Sequence, residues 1–246
     1  MSRLTYCFPE KRVRANWLRA GLASLAAGVV LMTAGCNVLG VVASKLPQPP
    51  EPAKVNLSEG LAAPDKKDQA PITRTVAIMV WTDRGINVDW PSLRGDLPAS
   101  LLARLKKAQT EKANTLVGIS FPYSAEQVVR WQRDNPAADA MPVTEVAKLL
   151  KVDRLIYIEV LNFQTRTTES YDLFRGDMTV SLKVVDAKHA GGAKVIYDEA
   201  DIASHFPRTA PPEGTPRGSD AQMYVGVVNE TADELARRFV ATAPKE

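Results

Sequence analysis

Residues 145–160, EVAKLLKVDRLIYIEV, pass from one backbone period to another with no room for a loop. Thr144 caps a short helix, Glu145 to Leu150, and a β-rich apolar run, Val152 to Val160, follows directly. A run apolar at nearly consecutive positions has two faces to bury, so it reads as the central strand of a sheet. The other elements arrange themselves around it. Arg74 to Trp81 (RTVAIMVW) is a first buried strand, and Val117 to Phe121 a short second one. Met178 to Val185 alternates, with Met178, Val180, Leu182 and Val184 on one face. Asp186 to Gly192 is a turn, and Ala193 to Ala203 returns as the antiparallel partner. A helix begins near Asp96, with Leu97, Leu101, Leu102 and Leu105 at helical spacing and Pro98 in its first turn. Ser124 and Gln127 form a capping box for a helix through Val128, Val129 and Trp131 that stops by Asn135-Pro136. The last helix, Met223 to Val240, puts Tyr224, Val228, Leu235 and Phe239 on one face; Gly226 weakens its first turn and moves its start later. The fold class is therefore α/β (α+β): a single mixed sheet of about five strands packed with helices, ending in an antiparallel hairpin plus helix.

The chain before this domain has a different character. Residues 1–19 carry Arg3, Lys11, Arg12, Arg14 and Arg19 against one acid, Glu10, and residues 20–33 have no charge. A basic segment, a short apolar core and then small residues are the layout of a secretory signal peptide. The core has 14 residues, below the roughly 18 to 20 that span a bilayer. Thr33-Ala34-Gly35-Cys36 resembles the lipobox of bacterial lipoproteins, with Thr33 where Leu is usual. That resemblance implies cleavage between Gly35 and Cys36 and diacylglycerol on the Cys36 thiol, holding the protein to a membrane through two or more acyl chains. Asn37 in the next position is compatible with the outer membrane, where the enterobacterial rule reserves Asp for retention in the inner one. Residues 1–35 are thus expected to be a lipoprotein signal peptide, residues 36–72 the lipidated start and a flexible tether, and residues 73–246 a single globular periplasmic domain. The run Pro47-Gln48-Pro49-Pro50-Glu51-Pro52 opposes helix and strand. A flexible tether of about 35 residues reaches about 30 to 35 Å.

Charge and cysteine count exclude several functions. The full chain has 31 basic and 28 acidic residues. Removing the five basic residues and one acid of the first 35 leaves 26 and 27, net −1. The basic balance belongs to the export signal, so the chain gives no ground for nucleic-acid binding. Cys7 leaves with the signal and Cys36 takes the lipid, so no cysteine remains as nucleophile, metal ligand or disulfide partner.

The helix-to-strand junction, with the first strand and the C-terminal hairpin plus helix, resembles a periplasmic module. It is shared by the curli secretion lipoprotein, the N-terminal domain of TolB and the lipoprotein activators of penicillin-binding proteins. In that group the junction usually reads Leu-Gly-Ala-Asp; here it is Leu150-Lys151-Val152-Asp153, without the glycine. The stretches RWQRDNP, LIYIEVLNFQTR and LFRGDMTVSLKVVD are also similar to a group of planctomycete-type envelope lipoproteins. Neither resemblance implies a reaction.

The residues themselves offer no catalytic constellation. His189 falls in the hairpin turn and His205 at a strand end before Phe206-Pro207. No HxH or HExxH spacing occurs, so no metal is expected. GxSxG, P-loop and GxGxxG patterns are absent, so no cofactor is expected. Asp198 and Glu199 alternate across a strand and point to opposite faces. The Arg-Gly-Asp tripeptides at 94–96 and 175–177 coincide with a helix start and a strand start. Trp81 and Trp90 flank the loop at the carboxyl end of the first strand, the edge where open α/β sheets bind ligands. They read either as core or, with Phe206, as a partner-binding surface. The loops 164–172 and 206–218 are further contact regions. The expectation is a non-enzymatic envelope lipoprotein that binds another envelope protein or assists assembly. The alternative is an auxiliary transport lipoprotein that binds a lipid or other small ligand; a hydrolase comes third.

Overall fold

The computed structural model describes residues 55–57, 73–111, 116, 118–167, 170, 172–209 and 211–240. All lie in the compact unit Pro52–Glu246, and the unit Met1–Glu51 lies outside them. The expected signal peptide, Gly35 and Cys36 therefore fall outside the described residues.

Five strands form one mixed sheet in the order β2-β1-β3-β4-β5. They are β1 (Arg74–Thr82), β2 (Ile119–Ser120), β3 (Arg154–Arg166), β4 (Phe174–Asp186) and β5 (Lys194–Phe206). β1 is parallel to β2 and to β3, in register from Val76 opposite Arg154 to Thr82 opposite Val160. β3, β4 and β5 are successively antiparallel. The strand read as central is central, and the fold is the expected α+β arrangement.

Helices cover both faces. On one side lie α2 (Leu93–Thr110) and α5 (Asp220–Phe239). Leu97, Leu101 and Leu105 of α2 and Val227, Leu235 and Phe239 of α5 are fully buried against Ile158, Val180, Leu182 and Val184. Each such side chain contributes about 1.5–3 kcal/mol relative to exposure. Arg104 staples the two helices: its guanidinium pairs with Asp233 and donates to the Asn229 carbonyl at 3.1 Å. On the other side, α3 (Ala125–Asp134) and α4 (Val143–Leu149) bring Val128, Val146 and Ala147 against Ala77, Met79, Leu155 and Val185.

Several boundaries differ from the sequence reading. The capping box of α3 is present, with Gln127 N donating to Ser124 Oγ at 3.3 Å and Ser124 N to Gln127 Oε1 at 2.7 Å. A short helix, α1 (Arg84–Asp89), precedes α2; Asp83 caps it by accepting from Ile86 N at 2.8 Å. α2 starts at Leu93 rather than near Asp96, so Pro98 lies inside the helix and cannot donate to the Arg94 carbonyl. α4 starts at Val143 after Pro142, and Thr144 is not its cap; proline presets the helical φ there. α5 starts at Asp220, where Ser219 Oγ accepts from Gln222 N at 3.3 Å. Gly226 does not delay it. A Cβ on Gly226 would lie 2.2, 2.3 and 2.5 Å from three ring carbons of Phe206, so glycine is what lets β5 and α5 approach.

The junction that anchored the sequence reading is built around Asp153. Its Oδ2 accepts from Thr75 N at 2.8 Å and Thr75 Oγ1 at 2.9 Å, while Asp153 N donates back to Thr75 O at 3.0 Å. Burial pushes its carboxyl up, but Lys188 and Thr75 outweigh burial and hold it below the ordinary value. Lys151 takes a left-handed backbone, φ 55°, at the glycine position of the resembling group.

Two residues of the expected tether, Val55 and Leu57, belong to the core. Val55 is 6% exposed and Leu57 not at all. Val55 N donates to the Arg238 carbonyl at 2.6 Å, and the buried Arg154 guanidinium donates to the Asn56 and Leu57 carbonyls at 2.8 and 2.6 Å. Two apolar residues amid polar ones are too short a pattern to signal a docked strap.

Candidate functional site

β1 and β2 are parallel neighbours whose outgoing connections leave on opposite faces, β1 into α1 and α2, β2 into α3 and α4. A cleft of about 370 Å³ opens where β1 ends. Trp81, Thr82 and Asp83 line it from the strand, and Arg84, Asn87 and Arg94 from α1 and α2. Pro136, Asp139 and Ala140 of a 3-10 turn, Pro136–Ala140, close the other side. Arg94 Nη2 donates to Asp139 Oδ1 at 2.7 Å. Gln132 Nε2, at 3.0 Å, and Arg94 Nε, at 3.5 Å, both reach the Val80 carbonyl. Thr82 is 5% exposed and Gln132 3%, yet Thr82 Oγ1 and Gln132 Oε1 have no hydrogen-bond partner among the described residues.

A second cleft, about 500 Å³, lies farther along the same end of the sheet. β1 stops opposite Val160, but β3 continues to Arg166, so residues 161–166 have β4 on one side and no strand on the other among the described residues. Trp90, Phe163, Gln164, Thr165, Arg166, Thr167 and Asp220 line the space left. Trp90 stacks on Tyr224 with centroids 5.4 Å apart and meets Phe163 edge-on at 5.2 Å. Asp220, at the start of α5, takes a two-pronged contact from Arg166, at 2.9 Å from Nε and 2.8 Å from Nη2, and a third from Thr165 Oγ1 at 2.7 Å. Arg166 and Thr165 hold the Asp220 carboxyl below its ordinary value. The Arg166 guanidinium also lies 4.6 Å from the Phe174 ring centre. Burial, then the hydrogen bond to Asp96, raise the Tyr224 phenol; that bond is 2.6 Å.

Large apolar side chains stand exposed beside this second cleft in the sequence. Val88 is 69% exposed, two residues before Trp90; Val225 is 56%, next to Tyr224; Leu161 is 44%, two before Phe163.

The structure does not gather Trp81, Trp90 and Phe206 into one surface. Trp81 and Trp90 are half-buried at opposite ends of α1 and line different clefts. Phe206 packs against the main core and Gly226. Of the expected contact loops, residues 164–166 belong to β3, and Thr215 bridges to Phe174 in both directions at 2.8 and 3.0 Å. His189 is exposed in its turn, and His205 Nε2 lies 3.3 Å from the Arg208 carbonyl. Among the described residues no three His, Cys, Asp or Glu are grouped to hold a metal. Asp198 is exposed, whereas Glu199 pairs with Arg238 at 3.0 Å and accepts from Tyr197. Arg94 and Asp96 of the first Arg-Gly-Asp are engaged by Asp139 and Tyr224, and Arg175 pairs with Asp177 in the second at 3.0 Å. The extension of β3 beyond β1 was missed; LNFQTR, apolar and polar by turns after Val160, is the signal that marks it.

No protein-family model matches the chain, and no curated protein does. Solved structures resemble it loosely. Lipoprotein GNA1162 from Neisseria meningitidis is 18% identical, with a TM-score of 0.38, covering 65% of this chain and 99% of that one. The PelC dodecamer from Paraburkholderia phytofirmans is 9% identical, with a TM-score of 0.38, over 71% and 92%. The hypothetical protein CT253 from Chlamydia trachomatis is 16% identical, with a TM-score of 0.32, over 69% and 99%. No helix among the described residues is long and apolar enough to cross a membrane.

Proposed function

We propose that this chain is a lipid-anchored protein of the bacterial envelope whose domain is not an enzyme but binds another protein and assists assembly. Its location rests on the basic segment, the apolar core and Thr33-Ala34-Gly35-Cys36. Its binding role rests on one observation: the open edge of β3 at 161–166, beside the Trp90–Phe163–Tyr224 cluster and the exposed Val88, Leu161 and Val225. Exposed apolar side chains near an aromatic anchor and an unpaired strand edge suit an extended or apolar partner segment. The lipid-carrier alternative calls for an apolar cavity, whereas both clefts are lined by charged and amide side chains as much as by apolar ones.

The test is affinity capture from detergent-solubilised envelopes with tagged full-length protein, beside Cys36→Ser and Val88→Asp/Val225→Asp, with intact masses of all three. The expected result is acyl mass on the wild type and the double variant but not on Cys36→Ser. A defined partner is captured by the wild type and lost from the double variant. An unmodified Cys36 overturns the anchor; a partner indifferent to Val88 and Val225 overturns the surface.

A further inference from the structure

We propose that the end of the domain where the chain enters at Val55 is a docking face for an anionic lipid surface, so that the Trp90 cleft points away from the membrane. The membrane is the one the proposed anchor would supply; the face itself rests on topology and charge. The strands define two ends. β1 and β3 start at the first, β4 finishes there and β5 sets out from it. α2 and α5 run back to it. Gln109 Nε2 donates to the Ile119 carbonyl at 2.7 Å, beside the start of β1, and the Arg238 carbonyl accepts from Val55 N at 2.6 Å. The Asn56 and Leu57 carbonyls are held there by Arg154, the first residue of β3. The Trp90 cleft lies at the second end, with Arg166, the last residue of β3.

Charge is divided between these ends. Lys106, Lys107, Lys151, Lys188, Lys194 and Arg237 all stand exposed at the first end, with Glu111 as an exposed carboxylate among them. Beneath them Arg74 and Arg154 pair with Asp186, Lys188 with Asp153, and Arg238 with Glu199 and Glu234. This end therefore holds nine cations against five carboxylates, whereas the rest of the described residues hold eleven against sixteen. Residues 58–72, 112–115 and 241–246, which continue from Leu57, Glu111 and Val240, carry four lysines and four carboxylates and leave the balance as it is.

From Arg154 to Arg166, β3 rises about 40 Å, several times the screening length of about 8 Å at physiological salt. The two ends therefore act separately, and the carboxylates of the second do not cancel the lysines of the first at a surface. Each lysine near an anionic leaflet strengthens attachment about fivefold. The point of entry selects the membrane over an acidic soluble partner. A chain anchored at Cys36 reaches the folded body at Val55, on the basic end itself, so this end meets the bilayer without the tether doubling back.

The experiment reconstitutes the lipidated protein into vesicles of phosphatidylethanolamine with phosphatidylglycerol, or of phosphatidylcholine alone. Ala190→Cys at the basic end and Ala221→Cys at the other each give one free thiol for a dye, quenched by nitroxides on the lipid headgroups. On anionic vesicles the dye at 190 should be quenched about fivefold more than the dye at 221, the weight of at least one surface lysine. The difference should vanish on phosphatidylcholine and at about 1 M salt, where screening shortens to about 3 Å. Lys106→Glu/Lys194→Glu, which takes the end from four net positive charges to none, should abolish it too and leave the urea midpoint close to the parent's. Intact mass and flotation on phosphatidylcholine report the anchor by themselves. A chain without acyl mass fails the anchor reading alone; it is then scored by flotation, which should favour the anionic vesicles and lose that preference in the double variant. The proposal is overturned by equal quenching at 190 and 221 on anionic vesicles, by a difference that survives high salt or the folded double variant, or by flotation indifferent to lipid charge. It is also overturned if the double variant loses an acidic protein partner while its orientation on the vesicles is unchanged.

Discussion

Gly226→Ala places two effects of opposite sign at one atom. Alanine is the better helix former by about 1 kcal/mol in a helix interior, and Gly226 lies inside α5. Judged on propensity alone, the substitution stabilises. The added methyl, however, would start 2.2 Å from Phe206 Cδ1 and 2.3 Å from Cγ. The ring must then move by roughly an ångström in a packed interior, where inserted carbon costs about 1–3 kcal/mol. Cγ is fixed to the β5 backbone by a single methylene, so the upper part of that range applies. The net expectation is a loss of about 2 kcal/mol. Removing the ring reverses the sign: in a Phe206→Ala background, Gly226→Ala should stabilise by about 1 kcal/mol, a coupling of about 3 kcal/mol. Urea unfolding of the four proteins of this cycle, followed by tryptophan fluorescence, measures each step. A Gly226→Ala protein as stable as the parent, or no change of sign without the ring, would refute the packing argument.

Other substitutions test other joints. Leu57→Ala should cost about 2–4 kcal/mol in the same assay, since a fully buried leucine leaves a cavity; a residue of a free tether would cost nothing. Lys151→Gly should stabilise by about 1 kcal/mol by relieving a left-handed backbone at φ 55°, seen as a higher urea midpoint. The Arg238 guanidinium holds the Glu199 carboxyl below its ordinary 4.5, against an opposing push from burial and with help from Tyr197. Because the folded value is the lower one, this stability is full above about pH 4.5 and is lost as pH falls through the folded value. Glu199→Gln should therefore flatten the acid limb of stability against pH. Tyr197 is pushed up to about 12, by burial and then Glu199, so its phenolate absorbance should appear only near that pH, and later than in Glu199→Gln.

The sheet was legible because its strands announce themselves by two periods, the continuous run of β3 and the alternation of β4. Helix starts were less so. Local signals compete there: Asp96 and Thr144 are good caps by type, but Ser92 and Pro142 stand where the chain turns. Gly226 was misread for the same reason, since propensity sees only its own helix and the ring that requires it comes from residue 206. The candidate clefts were half legible. Trp81 and Trp90 line the two clefts, but β3 outrunning β1 depends on register, which leaves no mark in local spacing.

The clip formed by Val55, Asn56 and Leu57 against Arg154 and the end of α5 also resets a length. For an anchor at Cys36, the first point fixed to the folded body is Val55 rather than Arg74. A chain fully drawn out spans about 3.3–3.6 Å per residue, so the greatest possible leash from Cys36 falls from about 130 Å to about 65 Å. The residues between Leu57 and Arg74 add nothing to that length. With such an anchor, Val55 itself can stand no farther than that shorter radius from the bilayer.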